Sequence, residues 1–167
     1  MKTLIVYATL HGVTGKISQK IKEGLGDDVV LLNLMKERIP SLKTFPRIII
    51  GGSIHAGKVQ RRVTGFCNRN LEELREKEIG LFICCIEEGE VAEMQFMGAF
   101  PEELRIAAKT TAIFKGYIDF GSMNFFDRFF IRRIVGNKRV KEKIDSEAIM
   151  LFAKRMDRIF NPFLYLS

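Results

Sequence analysis

Apolar residues in this chain form short continuous runs that alternate with segments in which they recur every three or four positions. The continuous runs are rich in Val, Ile and Leu and cover residues 3–8, 29–34, 47–52, 78–86 and 111–117. Such runs are typical of strands buried on both faces. They predict five strands in one parallel sheet, because only helices packed on both sides would bury both faces.

Helical spacing follows the first run, where Ile17, Ile21 and Leu25 lie on one face of a helix. The other predicted helical segments are 60–77, the stretch 91–109 that Pro101 interrupts, and 146–160, with Ser146 as the candidate N-cap. This alternation predicts an α/β fold: a three-layer, doubly wound, five-stranded parallel sheet of order 2-1-3-4-5.

The ligand crevice of such a sheet lies at the carboxyl ends of the first and third strands. The loops at that edge are 9–14, 53–57 and 86–89. The first holds two threonines and a glycine directly before a helix. Free N–H groups and the helix dipole at this position favour an anion. We expect a phosphate pocket, with an ordinary strand-to-helix turn as the alternative.

Two common nucleotide motifs do not fit this loop. A P-loop needs four residues between its first glycine and the Gly-Lys pair, but only two separate Gly12 from Gly15-Lys16, and Ile17 replaces the magnesium-binding hydroxyl. A dinucleotide fingerprint needs a third glycine and a carboxylate at the end of the second strand, which instead ends in Asn33-Leu34-Met35. The sequence predicts one terminal phosphate held without a metal.

Length, cysteines and hydropathy restrict the class of protein. The 167 residues suit a single domain, 1–167. Cys67, Cys84 and Cys85 match neither zinc spacing nor a disulfide framework, so we expect a reducing cytoplasm. No apolar run approaches the roughly 18 residues of a membrane span, and we expect no signal peptide before the first strand.

The net charge of +7 is concentrated in one segment, because residues 128–143 carry +6. Residues 116–140 form a basic aromatic insert after or within the fifth strand, with cationic and aromatic residues at helical spacing. Its alternatives are a helix that completes the core, or a surface for anionic lipid or a carboxylate-bearing substrate. Nucleic acid is not expected, since no binding motif accompanies the patch.

Three stretches in order resemble a known family. They are the phosphate loop, the G-S-I-x-x-G loop (Gly52, Ser53, Ile54, Gly57) and residues 126–131, Phe-Asp-Arg-Phe-Phe-Ile. Together they resemble the flavodoxin-like, menaquinone-dependent protoporphyrinogen oxidases, whose aromatic-Asp-Arg-Phe insert ordinary flavodoxins lack. The similarity covers most of the chain and implies a flavodoxin-like fold and an FMN cofactor.

The resemblance also implies roles for single residues. The phosphate would be bound by the first loop: Thr9, Leu10, His11, Gly12, Val13 and Thr14. The flavin ring would be lined by the second loop, Ser53, Ile54, His55, Ala56 and Gly57, and flanked by Cys85, Ile86, Glu87 and Glu88. Neither of these two loops carries the aromatic residue that stacks on FMN in many flavodoxins. We expect weaker FMN binding, since stacking area is lost.

The resemblance implies an FMN-dependent oxidoreductase that oxidises protoporphyrinogen IX or a similar substrate and passes electrons to a quinone. Arg128, Arg132 and Arg133 would face the substrate's carboxylates or an anionic membrane. The alternatives are a flavodoxin-type electron carrier and a membrane- or partner-binding module. The apolar tail 161–166 offers a contact to a second subunit, a membrane or its own chain, so a homodimer stays open. The expected location is the cytoplasm, or the inner face of the membrane.

Overall fold

The computed structural model describes residues 1–9, 12–26, 28–116 and 144–157. Its strands are β1 (Thr3–Ala8), β2 (Val29–Asn33), β3 (Arg47–His55), β4 (Lys58–Val59), β5 (Glu78–Cys85) and β6 (Ala108–Lys115). Its helices are α1 (Val13–Leu25), α2 (Arg61–Arg69), α3 (Leu71–Arg75), α4 (Gly89–Ala99), α5 (Glu102–Ala107) and α6 (Ser146–Asp157), with one 3₁₀ turn at Leu42–Thr44.

Five of the strands form one parallel sheet in the order β2-β1-β3-β5-β6. This order is the predicted 2-1-3-4-5 once the short strand β4, which pairs antiparallel with β3, is set aside. The predicted doubly wound α/β fold is therefore confirmed. The order reverses at β1 and β3, so a crevice forms beyond their carboxyl ends.

Helices cover both faces of the sheet and bury two separate cores. On one face, Ile5, Ile49 and Phe82 contact the apolar sides of α1 and α6. On the other, Leu4 and Ile50 belong to the core that α2, α3, α4 and α5 cover. Successive side chains of a strand point to opposite faces, so a strand between two helix layers needs apolar residues at every position. This is why the strands appear in the sequence as unbroken apolar runs.

Two strand boundaries differ from the prediction by three residues, and the others agree within two. β3 continues to His55 rather than ending at residue 52, because its last residues pair with β4: Ile54 with Val59 and His55 with Lys58. β6 begins at Ala108 rather than at residue 111. Its register with β5 shifts there, because Ile79 pairs with Ala108 whereas Gly80 pairs with Thr110. Such irregularities depend on the partner strand, which sequence patterns do not show.

Two helix predictions also needed correction. The predicted helix 60–77 divides into α2 and α3 at Asn70, whose side-chain Nδ2 donates to the carbonyl of Phe66 at 2.8 Å. Asparagine side chains compete in this way with regular helical hydrogen bonding. The N-cap of α6 is Asp145 rather than Ser146, since Asp145 Oδ1 accepts the N–H of Ala148 at 3.0 Å.

Some predicted features lie outside the described residues. These are residues 117–140 of the basic aromatic insert, with Arg128, Arg132 and Arg133, and the tail 161–166. The structure therefore leaves their roles as predictions. Among the residues that are described, no helix combines the length and apolar character needed to cross a membrane.

Candidate functional site

The first loop leads from β1 into α1 at the carboxyl edge of the sheet. Gly12, the residue before α1, has φ 82°, a left-handed conformation that glycine adopts without steric cost. Its N–H donates to Thr9 Oγ1 at 3.2 Å, which fixes the turn. Gly12 has no side chain with which to cap α1, and the described residues form no side-chain cap hydrogen bond there. The first-turn N–H groups thus remain for an anion, as the phosphate prediction requires.

Thr14, in the first turn of α1, directs its side chain toward the sheet. Its side chain is fully buried, and its Oγ1 lies 2.6 Å from Ser53 Oγ on β3. The Thr14 side chain also lowers the pKa of the Cys84 thiol on β5, which opposes the effect of burial. Burial nevertheless raises the pKa of Cys84 to about 12, so this thiol stays protonated at neutral pH. The Thr14 hydroxyl joins the first loop to the sheet.

The second loop is the tip of a β-hairpin between β3 and β4. Its two central residues, Ala56 and Gly57, have φ values of 48° and 78°. Positive φ at both positions is what a two-residue type I′ turn requires. Ala56 is the one described non-glycine residue with positive φ, and the turn holds it there at a cost of roughly 1 kcal/mol.

Gln60 stabilises this hairpin through a contact that the sequence did not predict. Its Oε1 accepts the backbone N–H of Ser53 at 3.1 Å. A side chain at Gly52 would meet Val59 Cγ2 at 2.5 Å and Gln60 Oε1 at 3.2 Å, so the close fit needs glycine. Gln60 Nε2 is buried without a hydrogen-bond partner among the described residues. No motif could have identified Gln60, because its partner is a backbone group on another strand.

The third loop follows β5 and carries two glutamates. Cys85 is buried and its thiol donates to the carbonyl of Glu87 at 3.3 Å. Burial, followed by the charges of Glu87 and Glu88, raises the pKa of Cys85. Glu88 forms an ion pair with Lys115 at the end of β6, and this hydrogen bond lowers the pKa of Glu88. Ile86 is 41% exposed and offers an aliphatic surface.

The structure thus brings most predicted site residues to one edge. Thr9, Gly12, Val13 and Thr14, the hairpin residues Ser53 to Gly57, and the third-loop residues Cys85, Ile86, Glu87 and Glu88 all lie at the carboxyl ends of β1, β3 and β5. Leu10 and His11 lie outside the described residues. Within the part of the chain that is described, no cluster of His, Cys, Asp and Glu could hold a metal ion.

A family model described as a flavodoxin domain matches residues 4–145, most of the 167-residue chain. The chain belongs to the flavodoxin-domain family. The match concerns the domain as a whole and does not single out the protoporphyrinogen oxidase branch. FMN is the cofactor of this flavodoxin domain, which confirms the cofactor prediction. No curated protein sequence matches the chain.

Solved flavodoxins share the fold at low sequence identity. The two-electron reduced flavodoxin of Megasphaera elsdenii has a TM-score of 0.51 and 20% identity, covering 66% of this chain and 84% of that one. A short-chain flavodoxin associated with a bacterial microcompartment has a TM-score of 0.56 and 15% identity. That similarity covers 93% of this chain and 97% of that one. The flavodoxin of Streptococcus pneumoniae TIGR4 has a TM-score of 0.54 and 14% identity, covering 92% of this chain and 96% of that one.

Proposed function

We propose that this flavodoxin domain is an FMN-dependent oxidoreductase. The observation that carries the proposal is the meeting, at one sheet edge, of an uncapped 13-residue helix and a hairpin turn with positive φ at Ala56 and Gly57. An anion at the helix and a planar ring beside the turn would complement these two features. FMN, when bound, supplies the electron transfer, so the chain need not provide an acid or a nucleophile.

The chain's own residues would bind and orient FMN. The N–H groups at the start of α1, together with Gly12 and Thr9, would hold the phosphate. The hairpin and Ile86 would border the ring with aliphatic rather than aromatic surface. Glu87 and Glu88 add negative charge near that border, which disfavours a ring that becomes negative on reduction.

For the substrate, we propose protoporphyrinogen IX or a similar molecule that carries carboxylates. The support is in the sequence, where Arg128, Arg132 and Arg133 are interleaved with aromatic residues in the segment that follows β6. Guanidinium groups bind carboxylates in a bidentate manner, and aromatic side chains would contact a macrocycle. The electrons would pass to a quinone, and an anionic membrane beside the basic segment would bring the quinone within reach.

Two measurements, made one after the other, test the proposal. Titration with FMN, followed by desalting, should leave a yellow protein with flavin absorbance; a colourless protein that releases no heat on mixing with FMN contradicts the cofactor role. The FMN-loaded protein should then form porphyrin from porphyrinogen with a menaquinone analogue. Reversing the charges of Arg132 and Arg133 should slow turnover, whereas the same change at the exposed Arg75 should not.

A second candidate is a flavodoxin-type electron carrier, which membership in the flavodoxin family favours. The two functions differ in what FMN-loaded protein does alone. A carrier exchanges electrons quickly with a protein partner and turns over no small molecule. An oxidase forms porphyrin without any protein partner. Measuring both reactions on one preparation therefore separates the candidates.

A further inference from the structure

Charged residues on one face of the sheet are separated by sign. Residues 38–71 contain seven Lys and Arg and no acid, whereas residues 72–103 contain ten Glu and two cations. The fold places α2 and α4, one from each stretch, on the same face, and α4 packs against β4, the strand that leads into α2. This face therefore has a basic half, α2 with β4, and an acidic half, α4 with α5. Their exposed charged residues are Lys58, Arg61, Arg62 and Arg69, and Glu90, Glu93, Glu102 and Glu103.

These charges do not neutralise one another within the chain. Among the described residues, no ion pair joins α2 to α4 or α5. Arg61 and Arg62 occupy the first turn of α2, which holds no acidic residue. Cations at a helix N-terminus oppose the helix dipole. The basic half therefore carries an electrostatic cost that carboxylates from outside the chain would offset.

Exposed apolar side chains are interleaved with the acidic residues of α4. Met94 is 72% exposed, and Val91 and Met97 are exposed as well. The flexible side chain of methionine adapts to different partners and is common at binding surfaces. Protein interfaces typically have apolar residues at the centre and polar residues at the rim. The outer surface of α4 therefore has the composition of a surface that contacts protein.

We propose that this face is the contact surface for a second copy of the chain, with α2 of each copy against α4 of its partner. A two-fold axis makes both contacts at once, so the basic half of each copy meets the acidic half of the other. A partner of one sign, such as nucleic acid or an anionic membrane, would be attracted to α2 and repelled by α4. The presence of both signs side by side thus favours a second copy, with or without a bound cofactor.

Sedimentation velocity of the unmodified protein tests this surface without any substitution. We expect a dimer at low salt whose dissociation constant rises by at least about tenfold as salt is raised to about 0.5 M, because salt screens the attraction between the halves. A dimer that becomes tighter with salt overturns the inference, since its interface would be apolar. A protein that stays monomeric at low salt also overturns it, and binding to vesicles of anionic lipid would then identify a membrane as the occupant.

Charge reversal tests which residues form the contact. Arg61→Glu with Arg69→Glu makes both halves acidic, and Glu90→Lys with Glu93→Lys makes both halves more basic. We expect each double variant alone to dimerise at least about a hundredfold more weakly, because like charges then face one another. An equal mixture of the two variants should restore the dimer, since each half again meets the opposite sign.

A matched control lies on α6, which covers the opposite face of the sheet. Lys154→Glu with Arg155→Glu changes the net charge by the same amount as the α2 variant, and both residues are exposed. This control should dimerise like the unmodified protein, and thermal unfolding of every variant shows that it is folded. A dimer that survives the α2 reversal, or a mixture that stays monomeric, overturns the inference.

Discussion

The two edges of the sheet are built from different interactions. At the amino edge, the buried Arg47 donates to Glu78 at 3.0 Å and to Asp157 at 3.3 Å, and Lys109 reaches the same oxygen of Glu78 at 3.3 Å. These contacts tie α6 and β6 to the start of β3. The carboxyl edge instead has hydroxyls, left-handed residues and an uncapped helix. One edge fixes the fold, and the other leaves polar groups ready for a ligand.

The largest expected effect comes from the amino edge. Arg47→Ala should lower the free energy of unfolding by about 2–3 kcal/mol, because the packed stem and two charge-assisted hydrogen bonds are lost. Chemical denaturation measures this change, and FMN affinity should stay within about twofold. Arg75→Ala is the matched control, since its ion pair with Glu72 is exposed and should contribute less than about 0.5 kcal/mol. Equal losses of unfolding free energy in both variants would contradict the proposed role of the amino edge in stabilising the fold.

An intermediate effect is expected at alkaline pH. Burial raises the pKa of Cys67 and of Cys84 from 9.0 to about 12. The folded protein therefore keeps protons that the unfolded chain releases above pH 9, so stability is full below that pH and is lost as pH rises toward 12. At pH 10 we expect a loss of about 1 kcal/mol per thiol relative to pH 7.5, measured by urea unfolding.

Removing one of these thiols tests whether thiol ionisation causes the loss of stability at alkaline pH. Cys67 lies on α2, on the opposite face of the sheet from Cys84, and is fully buried. Cys67→Ala should reduce the loss between pH 7.5 and pH 10 by about 1 kcal/mol, the contribution of one thiol, although it lowers stability at both pH values by leaving a cavity. The same pH dependence in Cys67→Ala and in the unmodified protein would mean that other groups cause the loss.

The smallest expected effect is at the hairpin turn. Gly57→Ala places a side chain at φ 78° and should cost roughly 1 kcal/mol, whereas Ala56→Gly relieves a positive φ and should be neutral or stabilising by less than that. Thermal unfolding of both variants gives the comparison. If Gly57→Ala were as stable as the unmodified protein, the turn would not be held in this conformation.

The arrangement of strands and helices was predictable because it follows from local patterns. The central residues of β1, β3 and β5 (4–6, 48–50 and 81–85) are apolar at every position, and the residues Ile17 and Ile21 are spaced for one helix face. Both patterns report burial directly. The continuation of β3 to His55 and the break at Asn70 were missed, since each depends on a single hydrogen-bonding partner that local periodicity does not specify.

The candidate site was predictable in location but not in detail. The glycine and hydroxyl composition of residues 9–14 placed an anion site before α1, and the uncapped helix agrees with it. The orientation of Thr14 toward Ser53 and the support of the hairpin by Gln60 were not predictable. These contacts join residues 39 and 7 positions apart, so only the packed chain brings them together.

By itself, the sequence determined the layered α/β fold, the family motif and the edge at which a cofactor would bind, because burial and backbone preference act over neighbouring residues. The tertiary structure decided which hydroxyl turns inward, which backbone groups remain for an anion, and how Arg47 ties α6 and β6 to the start of β3. Those choices depend on distances between separate elements, and such distances exist only once the strands and helices have packed.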